Sequence, residues 1–219
     1  MNLGIIGAGS LGTALGERLA QRGHEIMFGG GASAQDAGAR LRARVGSNAE
    51  TVAFGDATIL AVPFAAIGAA LADAGPLHGR VLWSCVNAVK PDYTGLAIGF
   101  DNSAAEEVAR RARGARVVAA LPPFASAIAA GQLCYDSDLE PTVFVCGDHP
   151  SAKQLVERLV RDIGAHAVDA GPLIAARLVE PAMMLAVSIA YAGVPRDVGL
   201  RLLERTSLMP GPPSAQVPA

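Results

Sequence analysis

Short apolar runs alternate along this chain with longer stretches in which apolar residues recur at helical spacing. Residues 3–6, 24–28, 58–62, 81–85, 117–120, 142–146 and 165–168 read as strands too continuously apolar to have a wet face. Residues 10–21, 35–45, 64–74, 104–112 and 151–163 read as helices between them. That rhythm predicts an α/β fold, a doubly wound parallel sheet whose strands are joined by right-handed helical crossovers. After Asp169, Gly171-Pro172 reads as a turn that places proline in the first turn of a long C-terminal helix. Pro181 falls inside that helix and would clash with the carbonyl of Arg177, so a kink or break is expected there. The division that follows is a first domain over 1–169, a C-terminal helical portion over 170–206, and a proline-rich mobile tail over 207–219.

Composition narrows the picture. The chain has 219 residues, 51% hydrophobic but only 5% aromatic and 17% charged, so its core is aliphatic. A net charge of −2, with no dense basic stretch carrying aromatics, argues against nucleic acid as a partner. Mean hydropathy is +0.34, yet the longest uncharged stretches are interrupted, 57–72 by Pro63 and Gly68 and 117–135 by Pro122-Pro123, Ser126, Gly131 and Gln132. Neither suits a lipid-facing helix, and with no secretory signal read at the start the expected location is the cytoplasm, away from any membrane. Cys85, Cys134 and Cys146 are odd in number and widely spaced, so they read as buried thiols and not as disulfides or metal ligands.

The candidate chemistry begins at Gly7-Ala8-Gly9-Ser10-Leu11-Gly12, a G-x-G-x-x-G pattern between the first strand and the first helix. In that setting the glycines allow a tight turn, close approach to a pyrophosphate and close helix packing, which is the dinucleotide fingerprint of a Rossmann fold. The second strand ends Phe28-Gly29-Gly30-Gly31-Ala32-Ser33, with neither the acid that holds a ribose hydroxyl of NAD nor an arginine for the 2′-phosphate of NADP. Arg40, Arg42 and Arg44 lie one to two turns further on and read as a solvated helix face, so the residues leave NADP against NAD open. Val62-Pro63 and Val86-Asn87 end the next two strands, where an open sheet places its ligand crevice. Asn87 could bond a carboxamide or ribose, or simply make a turn. His24, His78, His149 and His166 fall at loops or strand starts without a catalytic motif around them, and no catalytic residue is assigned. Arg177 and Glu180, three apart, read as a surface ion pair.

The sequence resembles the NADPH-dependent reductases of the deazaflavin coenzyme F420. The segments that carry the likeness are Gly4-Ile5-Ile6-Gly7 with the glycine loop, Ala61-Val62-Pro63, the run from Val117 to Pro123, and Val145-Cys146-Gly147-Asp148. The most specific is Val168-Asp169-Ala170-Gly171-Pro172-Leu173, continued by Ala176-Arg177-Leu178-Val179-Glu180. The resemblance implies a Rossmann domain with a short C-terminal portion, a homodimer, and hydride passage between NADPH and a deazaflavin in a cleft between the two portions. It also implies cofactor contacts from Ala8 to Leu11, at Gly30-Gly31, at Val62-Pro63 and at Val86. Where the family has Ser-Arg for the 2′-phosphate, this chain has Gly30-Gly31.

Two functions follow. One is an NAD(P)-dependent oxidoreductase handing hydride to a deazaflavin or another flat acceptor, a small molecule. The other is a non-catalytic dinucleotide-binding module that senses or scaffolds. An open cleft walled by Pro122, Pro123 and Phe124 favours the first, and a cleft filled by side chains the second.

Overall fold

A computed structural model describes residues 1–131, 133, 139–192 and 197–203. Strands β1 (Asn2–Ile6), β2 (Glu25–Gly29), β3 (Arg44–Gly46), β4 (Ala57–Leu60), β5 (Val81–Ser84), β6 (Arg116–Ala120), β7 (Thr142–Gly147) and β8 (His166–Gly171) form one sheet in the order β3-β2-β1-β4-β5-β6-β7-β8. The order reverses direction between β1 and β4, which is the switch point where open α/β sheets bind ligands. Helices α1 (Ser10–Gln21), α2 (Ala32–Leu41), α3 (Asn48–Phe54), α4 (Ile67–Ala74), α5 (Ala104–Arg111), α6 (Ala125–Ala129), α7 (Pro150–Asp162) and α8 (Ala176–Tyr191) complete it. One apolar layer gathers Leu15, Leu19, Phe28, Trp83 and Val156, and the opposite layer gathers Leu60, Leu71, Leu82, Val108 and Val179. Buried strands flanked on both faces therefore follow from the aliphatic composition.

Four details depart from the expectations above. The sheet is not wholly parallel, because β7 pairs antiparallel with β6 in the register Ala119↔Cys146. A strand apolar on both faces carries no signal of its direction. The helix expected over 35–45 begins earlier and ends at Leu41, where Arg42 turns left-handed at φ 52°, and Val45 belongs to edge strand β3. Helix α3 was not expected, although Ser47 and Glu50 form a reciprocal capping box at its start. Finally, α8 runs unbroken through Pro181. The proposed tail over 207–219 lies outside the described residues, and strand β8 extends two residues past the proposed boundary at 169.

The segment Leu173–Tyr191 is 19 residues with mean hydropathy 1.7, long and apolar enough by length and composition to cross a membrane, and 33% of it is buried. It was not among the stretches that looked longest in the sequence, because Arg177 and Glu180 interrupt it. Both charges are engaged with the domain, as described next.

Candidate dinucleotide and acceptor site

The glycines of the loop have three different neighbours. Gly7 has φ +99°, and a Cβ on it would collide with the carbonyl of Ala61 at the end of β4. A Cβ on Gly12 would collide with the carbonyl of Gly7, which is the close helix packing the third glycine permits. Gly9 is the opposite case: it caps α1 at φ −71°, and nothing lies within 4 Å of where its Cβ would point. The open space faces the first turn of α1, which holds no acid and whose leading N–H groups have no helical acceptor. A pyrophosphate fits that cradle, and the positive end of the 12-residue helix favours it. Thr13 donates its hydroxyl to the carbonyl of Ala8 at 3.0 Å, fixing the loop from below.

The end of β2 is crowded beneath and open above. A Cβ on Gly29 would sit 2.7 Å from Asn48 Oδ1 and 2.8 Å from Thr51 Oγ1, whereas Gly31 has nothing within 4 Å and Gly30 has φ +122°. These glycines let α3 approach the sheet and leave a flat, uncharged platform. Arg40 is exposed, as expected of a solvated helix face, and borders an open cavity of about 530 Å³ together with Gly9 and Ser10.

A second cavity, of about 450 Å³, opens where β5, β6 and α8 meet. Ser10 and Leu11 form one side, Cys85 and Asn87 the floor, Pro122, Pro123 and Phe124 a wall, and Met183, Val187 and Tyr191 of α8 the far side. Tyr191 stacks on Tyr93 with centroids 5.4 Å apart and meets Phe124 edge-on at 6.5 Å. The result is an apolar slot with an aromatic rim, suited to a flat ring. Sequence reasoning missed Met183, Val187 and Tyr191, because nothing local marks residues of a distant helix as partners of a strand end, and Tyr93, because it lies in the irregular loop after β5. Of the expected site residues, Ser10, Leu11 and Asn87 line this slot and Ala8, Gly9 and Ser10 the Arg40 cavity. Val62 packs on Gly7, Val86 is buried, Pro63 is exposed, and none of these three lines either cavity.

Among the described residues, neither cavity is lined by a histidine, a lysine or a carboxylate, so these supply the slot with no acid–base couple. Burial pushes the Cys85 thiol up, and burial, chiefly, pushes Cys146 up to about 12, so neither is a thiolate nucleophile.

What holds the α8 wall in place is a set of buried and half-buried charges. Glu180 is only 2% exposed, and its carboxylate accepts from the N–H groups of Ala104 at 2.9 Å and Ala105 at 3.1 Å, at the start of α5. Burial pushes its carboxyl up to about 7, against the pull of those donors and of the Ala88 N–H. Arg177 donates to Glu106 through Nε at 2.9 Å and through a terminal nitrogen at 2.7 Å. The expected surface pair of Arg177 with Glu180 is therefore replaced by two separate anchors on α5. The backbone carbonyl of Glu180 also accepts from Asn87 Nδ2 at 3.3 Å, which ties α8 to the floor of the slot. Upstream, Asp148 accepts from the Leu173 N–H at 2.9 Å, and Asp169 is gripped by Lys153 Nζ at 2.7 and 2.8 Å. The two most specific stretches of the sequence resemblance thus meet at one joint, where the sheet passes into the C-terminal helix.

A glycine cradle at a helix N-terminus, beside the switch point and an open apolar slot, defines an NAD(P)-dependent oxidoreductase of the Rossmann class. Residues 2–88 match the model of the family described as NADP oxidoreductase, coenzyme F420-dependent, and the resemblance drawn from the residues is borne out. The chain is 28% identical over 222 aligned positions to the F420-dependent NADP reductase of Methanothermobacter marburgensis, covering 92% of this chain and 98% of that protein. A structure from Arthrobacter sp. FB24, provisionally named an F420-dependent NADP-reductase, superposes with a TM-score of 0.80 at 22% identity, covering 93% of this chain and 100% of that one. A hypothetical protein of Sinorhizobium meliloti superposes with a TM-score of 0.72 at 25% identity, covering 94% and 96%.

Proposed function

We propose that the protein passes a hydride between NADPH and the deazaflavin coenzyme F420, in the slot between the sheet and α8. The observation that carries this reading is the slot itself: open, apolar, rimmed by Tyr93, Phe124 and Tyr191, and lined among the described residues by no histidine, lysine or carboxylate. Hydride transfer between two rings needs stacking, orientation and exclusion of water, which such walls supply. NADPH contributes the hydride, with its electron pair, and the proton that completes reduction of the acceptor comes from water. The non-catalytic alternative loses support because the slot is not filled by side chains.

In this reading Gly7, Ala8, Gly9, Ser10, Leu11 and Gly12 cradle the pyrophosphate, and Gly30 and Gly31 carry the adenosine ribose. Val62, Pro63, Val86 and Asn87 border the nicotinamide half. NAD is a possible substitute for NADP, because Gly30 and Gly31 carry neither a cation for the 2′-phosphate nor a carboxylate for the ribose hydroxyl. Residues 1–169 bind the dinucleotide and the portion from 170 closes the acceptor side. A homodimer is supported by the apolar row Leu178, Leu185 and Ile189, which are 72%, 60% and 38% exposed on α8. The free thiols Cys85 and Cys146 support a reducing, cytoplasmic setting.

The test is to mix the purified protein with NADPH and oxidised coenzyme F420 and follow both absorbances. Coupled loss is expected, and alanine at His24, His78, His149 or His166 should each leave turnover within about tenfold. A folded histidine variant slowed a thousandfold would point instead to acid–base chemistry on a carbonyl or imine.

A further inference from the structure

We propose that Tyr93 is the residue that positions the acceptor: its ring, stacked on Tyr191 at the outer edge of the slot, parts from that partner and lays its face on the flat ring of the acceptor. The proposal deepens the hydride-transfer reading above and rests on it. Residues 88–97 follow the floor residue Asn87 and close a small hairpin, in which the Ala97 N–H donates to the Ala88 carbonyl at 2.7 Å, the Lys90 N–H donates to the Gly95 carbonyl at 2.8 Å, and Val89 bridges Leu96. Its tip is a tight turn. There the Tyr93 N–H donates to the Lys90 carbonyl at 3.0 Å, and Asp92 Oδ1 accepts from the N–H of Thr94 at 3.1 Å and from its hydroxyl at 2.8 Å. Val89 and Tyr93 both line the slot, so the hairpin is part of its wall.

Tyr93 holds that tip at a cost. Its φ of +57° lies in the left-handed region, where Gly, Asn and Asp are at home and a bulky aromatic is an outlier. Turning the chain does not need the ring, because Asn or Gly would turn it with less strain. The ring is not spent on the core either, since Tyr93 is 58% exposed and its partner Tyr191 is 54% exposed. A strained backbone that displays an aromatic face at the mouth of an apolar slot points to a ligand contact. The stack itself is imperfect: the two rings are 5.4 Å apart and splayed by 30°, so a flat acceptor ring gives Tyr93 a more parallel partner than Tyr191 does. Tyr191 also meets Phe124 of the wall edge-on, whereas Tyr93 has Tyr191 as its one aromatic partner among the described residues. Tyr93, on a loop tip, is therefore the member of the pair that turns to the ligand.

The experiment measures kcat and KM for oxidised coenzyme F420 at saturating NADPH, the dissociation constant for NADPH by cofactor fluorescence, and the melting temperature. It compares the wild type with Tyr93→Asn, Tyr93→Gly and Tyr93→Phe. Asn and Gly accept the left-handed backbone and remove the ring, so both variants are expected to fold, to raise the acceptor KM about tenfold or more with a smaller change in kcat, and to shift NADPH affinity less than about threefold. Tyr93→Phe keeps the ring and should recover the acceptor KM to within about threefold of wild type. An acceptor KM within about twofold of wild type in folded Tyr93→Asn and Tyr93→Gly, or a raised KM that Tyr93→Phe fails to recover, would overturn the assignment while leaving hydride transfer in place. Equal weakening of NADPH would overturn it too, because the ring would then serve the nucleotide. A folded wild type that shows no coupled loss of NADPH and oxidised coenzyme F420 absorbance would overturn the hydride-transfer reading and Tyr93 with it.

Discussion

Gly7 and Gly9 stand two positions apart in the loop and answer to opposite demands. A side chain on Gly7 would drive into the Ala61 carbonyl from a left-handed backbone, whereas one on Gly9 would enter empty space at an ordinary φ of −71°. Gly9→Val is therefore expected to fold normally and lose NADPH and NADH in calorimetry. Gly7→Ala should lower the melting free energy by roughly 1–3 kcal/mol. The reverse pattern would place the cradle elsewhere. This much was legible, because a glycine fingerprint depends on backbone geometry that its own neighbours impose. Glu180 was not, since an acid three residues from an arginine reads as a surface pair until the fold buries it. Its folded carboxyl titrates near 7, above the ordinary unfolded value near 4.5, so the fold binds the proton more tightly than the unfolded chain does. That stabilising effect is complete below the unfolded value and disappears as pH rises through about 7. Glu106, held low chiefly by Arg177, and Asp169, held low chiefly by Lys153, act in the opposite sense at more acid pH. The wild type should accordingly lose up to about 3 kcal/mol between about pH 5 and 7. Glu180→Gln should abolish that slope, and parallel melting-temperature profiles for the two proteins would refute it.

Elements were legible wherever their own periodicity decided them, as in α1, whose bounds agree with the sequence reading residue for residue. They failed where tertiary pairing overrode it. Leu41 and Val45 are spaced like one helical face, yet Arg42 breaks the helix and Val45 joins β3 beside Phe28. The start of α3 was written in Ser47 and Glu50, a signal present and overlooked, and Ser47→Ala should cost about 1 kcal/mol. The apolar turn after β6 does its work as an element, its prolines turning the chain into the slot wall ahead of α6. Pro123→Asp is expected to cut turnover at least tenfold with NADPH affinity nearly unchanged, because the charge spoils only the acceptor's approach. Equal loss of cofactor binding would mean that this wall belongs to the nucleotide.

At the scale of the molecule, the sheet order and its reversal between β1 and β4 place the cofactor without any help from α8. The acceptor side depends on contacts separated by many residues, such as Asn87 with Glu180 and Tyr93 with Tyr191, and no local pattern could announce them. The attachment of α8 is also lopsided. Among the described residues, Asp148, Arg177 and Glu180 fasten its beginning, whereas the end that carries Val187 and Tyr191 is held by apolar contact and by the aromatic contacts of Tyr191 with Tyr93 and Phe124. A helix tied at one end breathes from the other. Amide hydrogen exchange should therefore show protection falling from Val179 toward Ala190. An acceptor seated in the slot should slow exchange at the distal end selectively, and uniform protection along the helix would show that the slot has no such hinge. The same asymmetry predicts two clocks within one small protein, a quiet glycine-loop half and a slot wall whose far end opens and closes on its own time.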